Sequence, residues 1–572
     1  MLSANSSPLS QPPPTTDAIA PQGASQGQPA VPCRLGPAAE NFPQTILQQP
    51  GNHPPAESRI YLVGVCGSGM RSLAEYLISA GYHVSGSDEQ LPTTGVRELI
   101  ARGLAYHRCQ HFSDPAAPSP QPVLHPQLVI HSAAIPLADP ELQHARQQRI
   151  PTLPYHAALA QLLNRHRGLC IAGTHGKSTT TAMVAWLMSR NQAVMDSPAT
   201  LPPSFVMGGE LLDPLFDQDG ETLDHTLFHR AGRAGPGDWF IAEACEYRHH
   251  FLAYRPELAA ILACEPDHFD CFADEDSLID AFSQFASRVT STGRLIVRAD
   301  APLARLAARS ATAPVETFGI EQASPVRADW QARNITWQGT GSRFEMIFRG
   351  RSLGHVRLQI PGAHNVLNAL AALAITETTG IPLEQRIEAL SRFRGIRRRF
   401  EWKGVWQGVH LIDDYAHHPT AIVETIKAAR QIFGSRRLAI AFEPHQASRL
   451  EALLPDFANA LALADQVFVA PVFAAREGDA VRGQQLVREL ASQLTTRGIA
   501  TDVCGTLDHL MSAVEHKRGT MDVLLTAGAG HIDRIHHELS RRIPRSPQAR
   551  RAAGSLHLDE TGGAGAVFPR TA

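Results

Sequence analysis

A short turn at residues 173–178, with the sequence GTHGKS, constrains the fold of this chain more than any other feature. It follows the apolar run 169–172 and precedes a stretch, 179–188, that has the spacing of a helix. A strand that turns through glycines into a helix aims successive backbone N–H groups at one point, where the positive end of the helix also attracts anions. The motif therefore predicts a phosphate-binding loop.

Two side chains of this turn have the chemistry to bind a nucleotide phosphate and its metal ion. Lys177 can reach the outer phosphates as a point charge, and the Ser178 hydroxyl can hold Mg²⁺. The usual loop has a further glycine five positions before the second glycine, whereas the corresponding residue here, 171, is isoleucine. The alternative is a glycine turn that precedes Lys-Ser by chance, and the strand before it and the helix after it favour the phosphate loop.

Length and composition limit the kind of protein. At 572 residues the chain is too long for one core, which predicts several domains. A formal charge of -3 gives no field that would attract nucleic acid or an anionic membrane. We find no spanning run of about 20 apolar residues and no secretion signal, so we expect a cytoplasmic enzyme. The eight cysteines include no Cys-x-x-Cys pair and are expected to be reduced thiols.

Strand and helix patterns alternate along most of the chain, which predicts an α/β fold with parallel, doubly wound sheets. Residues 1–57 and 546–572 are poor in large apolar groups and are expected to be disordered tails. Between them we predict three domains, 58–165, 166–396 and 397–545. Ligands in such sheets bind beyond the carboxyl ends of the strands. The predicted strands are 59–66, 83–86, 128–132, 239–243, 258–262, 409–412, 438–442, 467–469 and 523–525.

The first domain opens with a second glycine turn, GVCGSGM at residues 64–70. Asp88 follows roughly 20 residues later, close to a dinucleotide-binding arrangement. The glycines are ordered G-x-x-G-x-G, which gives only weak support to a nicotinamide site. We interpret the turn as a site for the diphosphate of some nucleotide, and the alternative is a tight packing turn.

Polar residues at strand ends suggest a metal site near the phosphate loop. Magnesium prefers hard oxygen ligands, and Glu243 ends an apolar strand, with Glu246 as a nearby rival. His268, in the run DHFD, follows the next predicted strand. Each residue alone is more simply a solvated carboxylate or a hydrogen-bonded histidine. Together with the loop they predict a metal site.

Two further clusters stand out. Asn365 and Asn368 lie three residues apart at the predicted opening of a helix over 369–377, where they can pair with an adenine edge or cap the helix. The run DDYAHHP, residues 413–419, follows a predicted strand and crowds acceptors and imidazoles into one loop.

Taken in order, with RRRF at 397–400 and FEPH at 442–445, these motifs resemble the Mur ligase family from about residue 58 to 545. The resemblance implies a Rossmann-like N-terminal domain that binds a UDP-sugar, a central P-loop ATPase domain and a Rossmann-like C-terminal domain for the incoming amino acid. Within the family it points to members that join L-alanine to UDP-N-acetylmuramate with ATP and Mg²⁺, through an acyl phosphate, as monomers or homodimers. These enzymes build peptidoglycan precursors.

The resemblance also implies roles for individual residues. Lys177, Glu243, His268 and Arg399 would be catalytic, and Ser178, Glu243 and His268 would hold the metal. The UDP-sugar would contact Gly64, Gly67, Ser68, Gly69, Met70, Ser87 and Asp88. The amino acid would contact Tyr415, His417 and Arg449. ATP would contact Gly173, Thr174, His175, Gly176, Lys177, Ser178, Thr179, Asn365, Asn368, Arg399 and Asp414.

Three positions depart from the family pattern, and three other functions stay open. Cys66 stands where glycine is usual, Ser178 where threonine is commoner, and Gln446 where a second arginine for the alanine carboxylate is usual. The nearest alternative is a recycling ligase that attaches a whole tripeptide to the same sugar acid. The others are a nicotinamide-dependent dehydrogenase and a non-catalytic ATP-gated binding protein.

Overall fold

The structure is a computed structural model, and it describes residues 58–109, 125–190, 200–213, 215–216, 228–321, 327–474 and 480–541. Both predicted tails lie outside these ranges. The predicted α/β fold is confirmed, because parallel sheets with helices between their strands dominate the described part of the chain. None of the helices in these ranges has the length and apolar character that a membrane span requires.

The first part of the chain forms a five-stranded parallel sheet in the order β3-β2-β1-β4-β5. Strands β1 and β4, in the middle of the sheet, are short apolar runs that are buried on both faces, as parallel sheets require. The elements are β1 (Arg59–Val63), α1 (Ser68–Ser79), β2 (His83–Asp88), α2 (Thr94–Ala101), β3 (Ala105–Arg108), β4 (Leu128–His131), α3 (Pro140–Gln147), β5 (Thr152–Pro154) and α4 (Tyr155–Leu163).

The central part contains a ten-stranded sheet in the order β10-β7-β11-β6-β12-β13-β14-β15-β16-β17. Short 3₁₀ turns cover Tyr247–Ala253 and Glu377–Thr379. The other elements are β6 (Arg167–Ala172), α5 (Lys177–Ser189), β7 (Ser204–Val206), β8 (Leu215–Phe216), β9 (Phe228–His229), β10 (Gly232–Arg233), β11 (Trp239–Ala244), β12 (Leu258–Ile261), α6 (Glu275–Ser287), β13 (Arg294–Arg298), α7 (Pro302–Ala308), β14 (Val315–Ile320), β15 (Trp330–Gln338), β16 (Gly341–Phe348), β17 (Arg351–Leu358), α8 (Ala363–Ile375) and α9 (Leu383–Ser391).

Two features of this sheet differ from the sequence-based expectation. The pair β7–β10 is antiparallel, and β15, β16 and β17 also pair antiparallel, so parallel pairing throughout was wrong for β10 and for residues 330–358. Short hairpin connections replace crossover helices within residues 330–358, and antiparallel strands need no more than that. The helix predicted over 369–377 begins at Ala363 instead, after Gly362 with φ +94°. Asn365 and Asn368 therefore lie inside α8, and neither caps it.

The last part forms a six-stranded sheet in the order β18-β19-β23-β20-β21-β22, parallel except for the β18–β19 pair. A 3₁₀ turn covers Arg518–Thr520. The other elements are β18 (Glu401–Trp406), β19 (Val409–Asp414), α10 (Pro419–Phe433), β20 (Leu438–Glu443), α11 (Ala447–Ala452), α12 (Leu454–Leu461), β21 (Gln466–Val469), α13 (Ala480–Thr496), β22 (Ala500–Val503), α14 (Leu507–His516), β23 (Val523–Gly528) and α15 (Arg534–Arg541).

A buried glutamate joins the first sheet's helix α1 to the central sheet. The Glu75 carboxylate accepts hydrogen bonds from the backbone N–H groups of Arg230, Ala231 and Gly232 at 3.1, 2.9 and 2.9 Å. It also accepts from the Arg102 guanidinium at 2.7 Å. Charge-assisted bonds to several donors are stronger than neutral ones, so Glu75 holds α1 against strand β10.

We expect Gly232→Ala to destabilise this contact. A Cβ atom at residue 232 would lie 2.0 Å from the Ser72 carbonyl oxygen, which belongs to the helix backbone and has little room to move. Overpacking of this kind costs about 1–3 kcal/mol. Urea unfolding would measure the loss. Gly505→Ala is the matched control, because nothing lies within 4 Å of its added Cβ, and equal stability of the two variants would contradict the contact.

The cysteines of the described ranges are all free thiols. Five of them, Cys66, Cys109, Cys170, Cys264 and Cys504, are buried, and Cys245 and Cys271 are partly buried. Burial raises the pKa of Cys66 and of Cys264 to about 12, and that of Cys504 to about 11. These side chains pack as small apolar groups. Cys33 lies outside the described residues.

Candidate active site

The phosphate loop connects β6 to α5 through two glycines in the left-handed region. Gly173 has φ +127°, and an added Cβ would lie 2.8 Å from the Ala263 backbone N and O. Gly176 has φ +81° and directly precedes α5. A side chain at either position is unfavourable. The turn therefore adopts the strand–glycine–helix form that the motif requires, packed against the end of β12.

Lys177 is held by a carboxylate that the sequence analysis treated only as a possible metal ligand. Its Nζ donates to the two Glu246 oxygens at 3.0 and 3.2 Å and to the Gly173 carbonyl at 2.5 Å. Burial by itself lowers the pKa of Lys177, but Glu246, together with Cys245 and Glu243, outweighs this effect and raises it. The lysine is therefore a fixed positive charge on the loop.

The predicted metal ligands lie in two places: Ser178 contacts Glu243, whereas His268 lies near Glu246. Glu243, in β11, accepts from the Ser178 hydroxyl at 3.2 Å and from the Gly208 N–H at 2.6 Å. His268 instead has its Nε2 3.9 Å from Glu246. Burial is the main cause of the raised pKa of Glu243. The Ser178 hydroxyl and Glu243 carboxylate are adjacent hard oxygen donors, and this donor set fits Mg²⁺.

Helix α8 supports the loop from the other side. Asn365 donates to the Pro361 carbonyl at 2.6 Å and accepts from Asn368 at 3.1 Å. The Asn368 Oδ1 lies 2.5 Å from where a Cβ of Gly176 would stand. The two amides thus form a buried pair against the phosphate loop. Thr179, also in the predicted ATP set, is buried on α5.

The glycine turn of the first sheet is ordered by the residues at the end of β2. The N–H groups of Gly64 and Val65 donate to the Ser87 carbonyl at 2.9 and 3.0 Å. Asp88 accepts from the Cys66 N–H at 2.8 Å. Asp88 therefore holds the turn itself. The Ser87 hydroxyl contacts another carboxylate, that of Glu141, at 2.5 Å.

The remaining residues of that turn lie at the start of α1. Gly67 immediately precedes the helix, and Ser68, Gly69 and Met70 form its first turn. Met70 is buried in the core, and a Cβ on Gly69 would lie 3.0 Å from the Tyr155 ring. The structure thus brings five of the predicted UDP-sugar residues into the strand–turn–helix unit of β1 and α1, and the other two, Ser87 and Asp88, lie at the adjoining end of β2.

The C-terminal candidates Asp414, Arg399 and Tyr415 meet at the carboxyl end of β19. Asp414 accepts from the N–H groups of Phe400 and Ala416 at 2.9 and 2.8 Å, and burial raises its pKa. The Arg399 guanidinium carbon lies 5.1 Å from the centre of the Tyr415 ring, a cation–π distance. Asp414 therefore orders two segments, the one before β18 that carries Arg399 and the one after β19 that carries Tyr415.

Arg449 is buried and paired across two domains. Its Nε and Nη2 donate to one Asp267 oxygen at 2.7 and 2.6 Å, and its Nη1 lies 2.9 Å from Nδ1 of His445. Burial and the nearby Arg449 charge hold the pKa of His417 well below its usual range. Gln446 is buried, with φ +67°, and is the residue immediately before α11. Sequence reasoning did not find the partner of Arg449, which lies 182 residues away.

Three sequence profiles of one family match consecutive parts of the chain. They are the "Mur ligase family, catalytic domain" at residues 59–167, the "Mur ligase middle domain" at 171–376 and the "Mur ligase, glutamate ligase domain" at 398–530. The chain belongs to the Mur ligase family. The resemblance read from the motifs is confirmed, and membership does not favour a dehydrogenase or a non-catalytic binding protein.

Individual relatives of this Mur ligase match most of its length. A UDP-N-acetylmuramate–L-alanine ligase of Acidithiobacillus ferrooxidans is 37% identical, covering 83% of this chain and 95% of that protein. One of Caldanaerobacter subterraneus is 33% identical with the same coverage. The crystal structure of a UDP-N-acetylmuramate–alanine ligase from Thermotoga maritima has TM-score 0.66, 24% identity and 85% and 98% coverage. That of a murein peptide ligase from Psychrobacter arcticus has TM-score 0.61, with the same identity and coverage. Both structures share the fold.

One segment of this Mur ligase, residues 265–267, connects the central sheet to the C-terminal domain. Thr420 donates to Glu265 at 2.7 Å, and Nε2 of His418 lies 3.3 Å from the Pro266 carbonyl. Burial opposes ionisation of Glu265, but hydrogen bonds from His175 and Thr420 outweigh it and lower its pKa to about 2. Sequence reasoning included His418 in the run 413–419 without giving it a role, and it missed Glu265 and Thr420. Only the position of Glu265 just after a buried strand pointed to it.

Proposed function

We propose that this Mur ligase joins L-alanine to the carboxylate of UDP-N-acetylmuramate in the cytoplasm, converting ATP to ADP and phosphate. The observation that carries the proposal is the similarity to relatives named for that reaction, at 32–37% identity over at least 83% of the chain. The arrangement of Lys177, Ser178 and Glu243 supports it, because a nucleotide phosphate needs such a set.

The phosphate-transfer step uses charge that is already fixed in the loop. Lys177, held between Glu246 and Gly173 in the loop, would contact the outer phosphates. Arg399 would add a second positive charge from the C-terminal side. Charges that are fixed in advance stabilise a developing negative charge without reorganisation. Ser178 and Glu243 would hold Mg²⁺, which would neutralise phosphate oxygens when bound.

The two chemical steps follow from the weakness of a carboxylate as an electrophile. The γ-phosphoryl group is transferred to a carboxylate oxygen of the sugar acid, giving an acyl phosphate and ADP. The amine of L-alanine then attacks the acyl carbon, and the tetrahedral adduct collapses to an amide with loss of phosphate. Tyr415, His417 and Arg449 would surround the amino acid, and a guanidinium suits its carboxylate. The protein mainly positions the reactants.

Glu243→Gln tests the metal assignment. We expect it to raise the Mg²⁺ concentration for half-maximal ligation at least tenfold, because the amide removes the charge of a hard oxygen ligand. The measurement is phosphate release against Mg²⁺ at saturating ATP. Glu384→Gln, on the exposed face of α9, is the matched control. An unchanged Mg²⁺ requirement in Glu243→Gln would remove this residue from the metal site.

The identity of the amine is tested by phosphate release with UDP-N-acetylmuramate and one acceptor at a time. L-Alanine, glycine, L-serine and a murein tripeptide form the series. The proposal expects the highest kcat/KM with free L-alanine. A preference for the tripeptide would instead identify the recycling ligase, and release that is independent of any amine would contradict both.

A further inference from the structure

A second group of metal-ligating side chains lies beside the phosphate loop, apart from Ser178 and Glu243. It consists of His175, Glu265 and His418, each of which offers one ligand atom within 4.8 Å of the other two. The His175 Nε2 is 3.3 Å from a Glu265 oxygen, and the His175 and His418 rings lie 4.7 Å apart. The three side chains therefore converge on one point.

The three ligands come from two domains. His175 lies in the loop between β6 and α5, and Glu265 follows β12 of the same sheet. His418 is the N-cap of α10 in the C-terminal domain. Thr420, in the first turn of that helix, donates to the same Glu265 oxygen that lies near His175. One oxygen of Glu265 thus already accepts hydrogen bonds from side chains of both domains.

We propose that His175, Glu265 and His418 bind a divalent cation of the Zn²⁺ type, which ties the phosphate loop to the C-terminal domain. Two imidazoles and one carboxylate suit Zn²⁺ or Co²⁺, whereas Mg²⁺ prefers oxygen ligands. Bonds of about 2.0–2.2 Å to a tetrahedral ion place ligand atoms roughly 3.3–3.6 Å apart. The His175–Glu265 pair has that spacing. The ligand atom of His418 lies within 4.8 Å of both, and rotation of its ring away from the Pro266 carbonyl would bring in the third ligand.

The expected consequence is inhibition. Enzymes that bind their substrates between two domains depend on opening and closing of those domains, and these steps often limit turnover. A cation shared by the loop and α10 would hold those elements together and slow product release. The inhibition would be saturable and would persist at high Mg²⁺, because the two ions occupy different ligand sets.

The binding test uses the full-length protein, freed of metal and titrated with Co²⁺ in excess Mg²⁺. The visible absorption of tetrahedral Co²⁺ reports the site. We expect one Co²⁺ per chain, with affinity reduced at least tenfold in Glu265→Gln and in His418→Asn. Asparagine is a good N-cap, and glutamine still accepts from Thr420, so both variants keep the local fold.

Two controls identify the ligands. His355→Asn removes an exposed imidazole of β17 and should leave Co²⁺ binding unchanged. Glu243→Gln alters the magnesium set and should also leave it unchanged. The proposal is overturned if wild-type protein gives no tetrahedral spectrum, if Glu265→Gln retains full affinity, or if Glu243→Gln abolishes the signal.

The inhibition arm compares initial rates with and without Zn²⁺ in each protein. We expect at least a fivefold loss of rate in the wild type at saturating Zn²⁺, and less than a twofold loss in Glu265→Gln. Equal inhibition of the two proteins would overturn the inhibitory role. The Co²⁺ spectrum does not depend on which amine is the substrate, so this site and the proposed ligation can fail separately.

Discussion

Lys177→Ala is expected to lower the rate of ATP-driven ligation about 10³-fold, the order of magnitude that removal of a preorganised charge costs at a transition state. The affinity for UDP-N-acetylmuramate should stay within about twofold, because the residues predicted to bind this ligand belong to the first sheet and do not include Lys177. Single-turnover phosphate release would give the rate, and isothermal titration with the UDP-sugar would give the affinity. A variant that keeps most of its turnover would refute the role of this lysine.

The partner of Lys177 makes a second variant necessary. Removal of the lysine leaves the buried Glu246 carboxylate without its hydrogen-bonded cation, with the His268 ring 3.9 Å away, and breaking a buried ion pair costs about 3–5 kcal/mol. We therefore expect Lys177→Ala to have a lower Tm than the wild type. The double variant Lys177→Ala/Glu246→Gln should recover much of the stability without recovering ligation. Lys427→Ala is the matched control, since this lysine is exposed and pairs with Glu424 at 2.9 Å.

Asp267→Asn is expected to destabilise the protein by about 3 kcal/mol and to raise the KM for the amino acid at least tenfold, because Arg449 would keep a buried charge with a weaker partner. The Arg449 side chain is only 2% exposed and bonds one Asp267 oxygen through two nitrogens. Without this carboxylate the guanidinium loses its fixed position. Urea unfolding and steady-state kinetics with L-alanine would measure the two effects.

A double variant separates stability from positioning. Asp267→Asn/Arg449→Met removes the buried charge, so its stability should recover while the KM stays high. Asp456→Asn, an exposed position on α12, is the control. A normal KM in Asp267→Asn would contradict the positioning role.

The same pair gives a dependence on pH. Burial alone would raise the pKa of Asp267, but His268 and Arg449 outweigh it and hold the pKa far below its usual range. A carboxyl with a lowered folded-state pKa contributes stability above its unfolded pKa, about 3.9, and loses that contribution as the pH falls below it. The difference in stability between wild type and Asp267→Asn should therefore shrink below about pH 4.

Features that depend on neighbouring residues were predicted better from the sequence than features that depend on distant residues. Residues 173–178 specify a strand–turn–helix by themselves, and apolar runs such as 239–243 were placed within a residue or two. It was harder to predict which carboxylate contacts which residue of the phosphate loop. Glu243 and Glu246 are three residues apart, yet one contacts Ser178 and the other Lys177. Only the path of the chain after β11 decides this.

Contacts between domains were the part that no local pattern could indicate. Thr420 and Glu265 are 155 residues apart and Arg449 and Asp267 are 182 apart, so neither pair leaves a spacing signal. The hairpins of residues 330–358 were missed because strands and helices alternate on either side of them. That surrounding alternation predicted parallel pairing, although these strands are only half-buried. Expectations for a chain of this kind are therefore firmest within each domain.

The free thiols offer a way to follow the folded state. A thiol reacts as its thiolate, and burial keeps Cys66, Cys264 and Cys504 both protonated and inaccessible. In a Cys33→Ser background, alkylation of these three side chains would wait for local or global opening of the chain. Mass-resolved labelling of each cysteine would then report which sheet opens first under denaturant, with Cys66 as the probe of the first sheet, Cys264 of the second and Cys504 of the third.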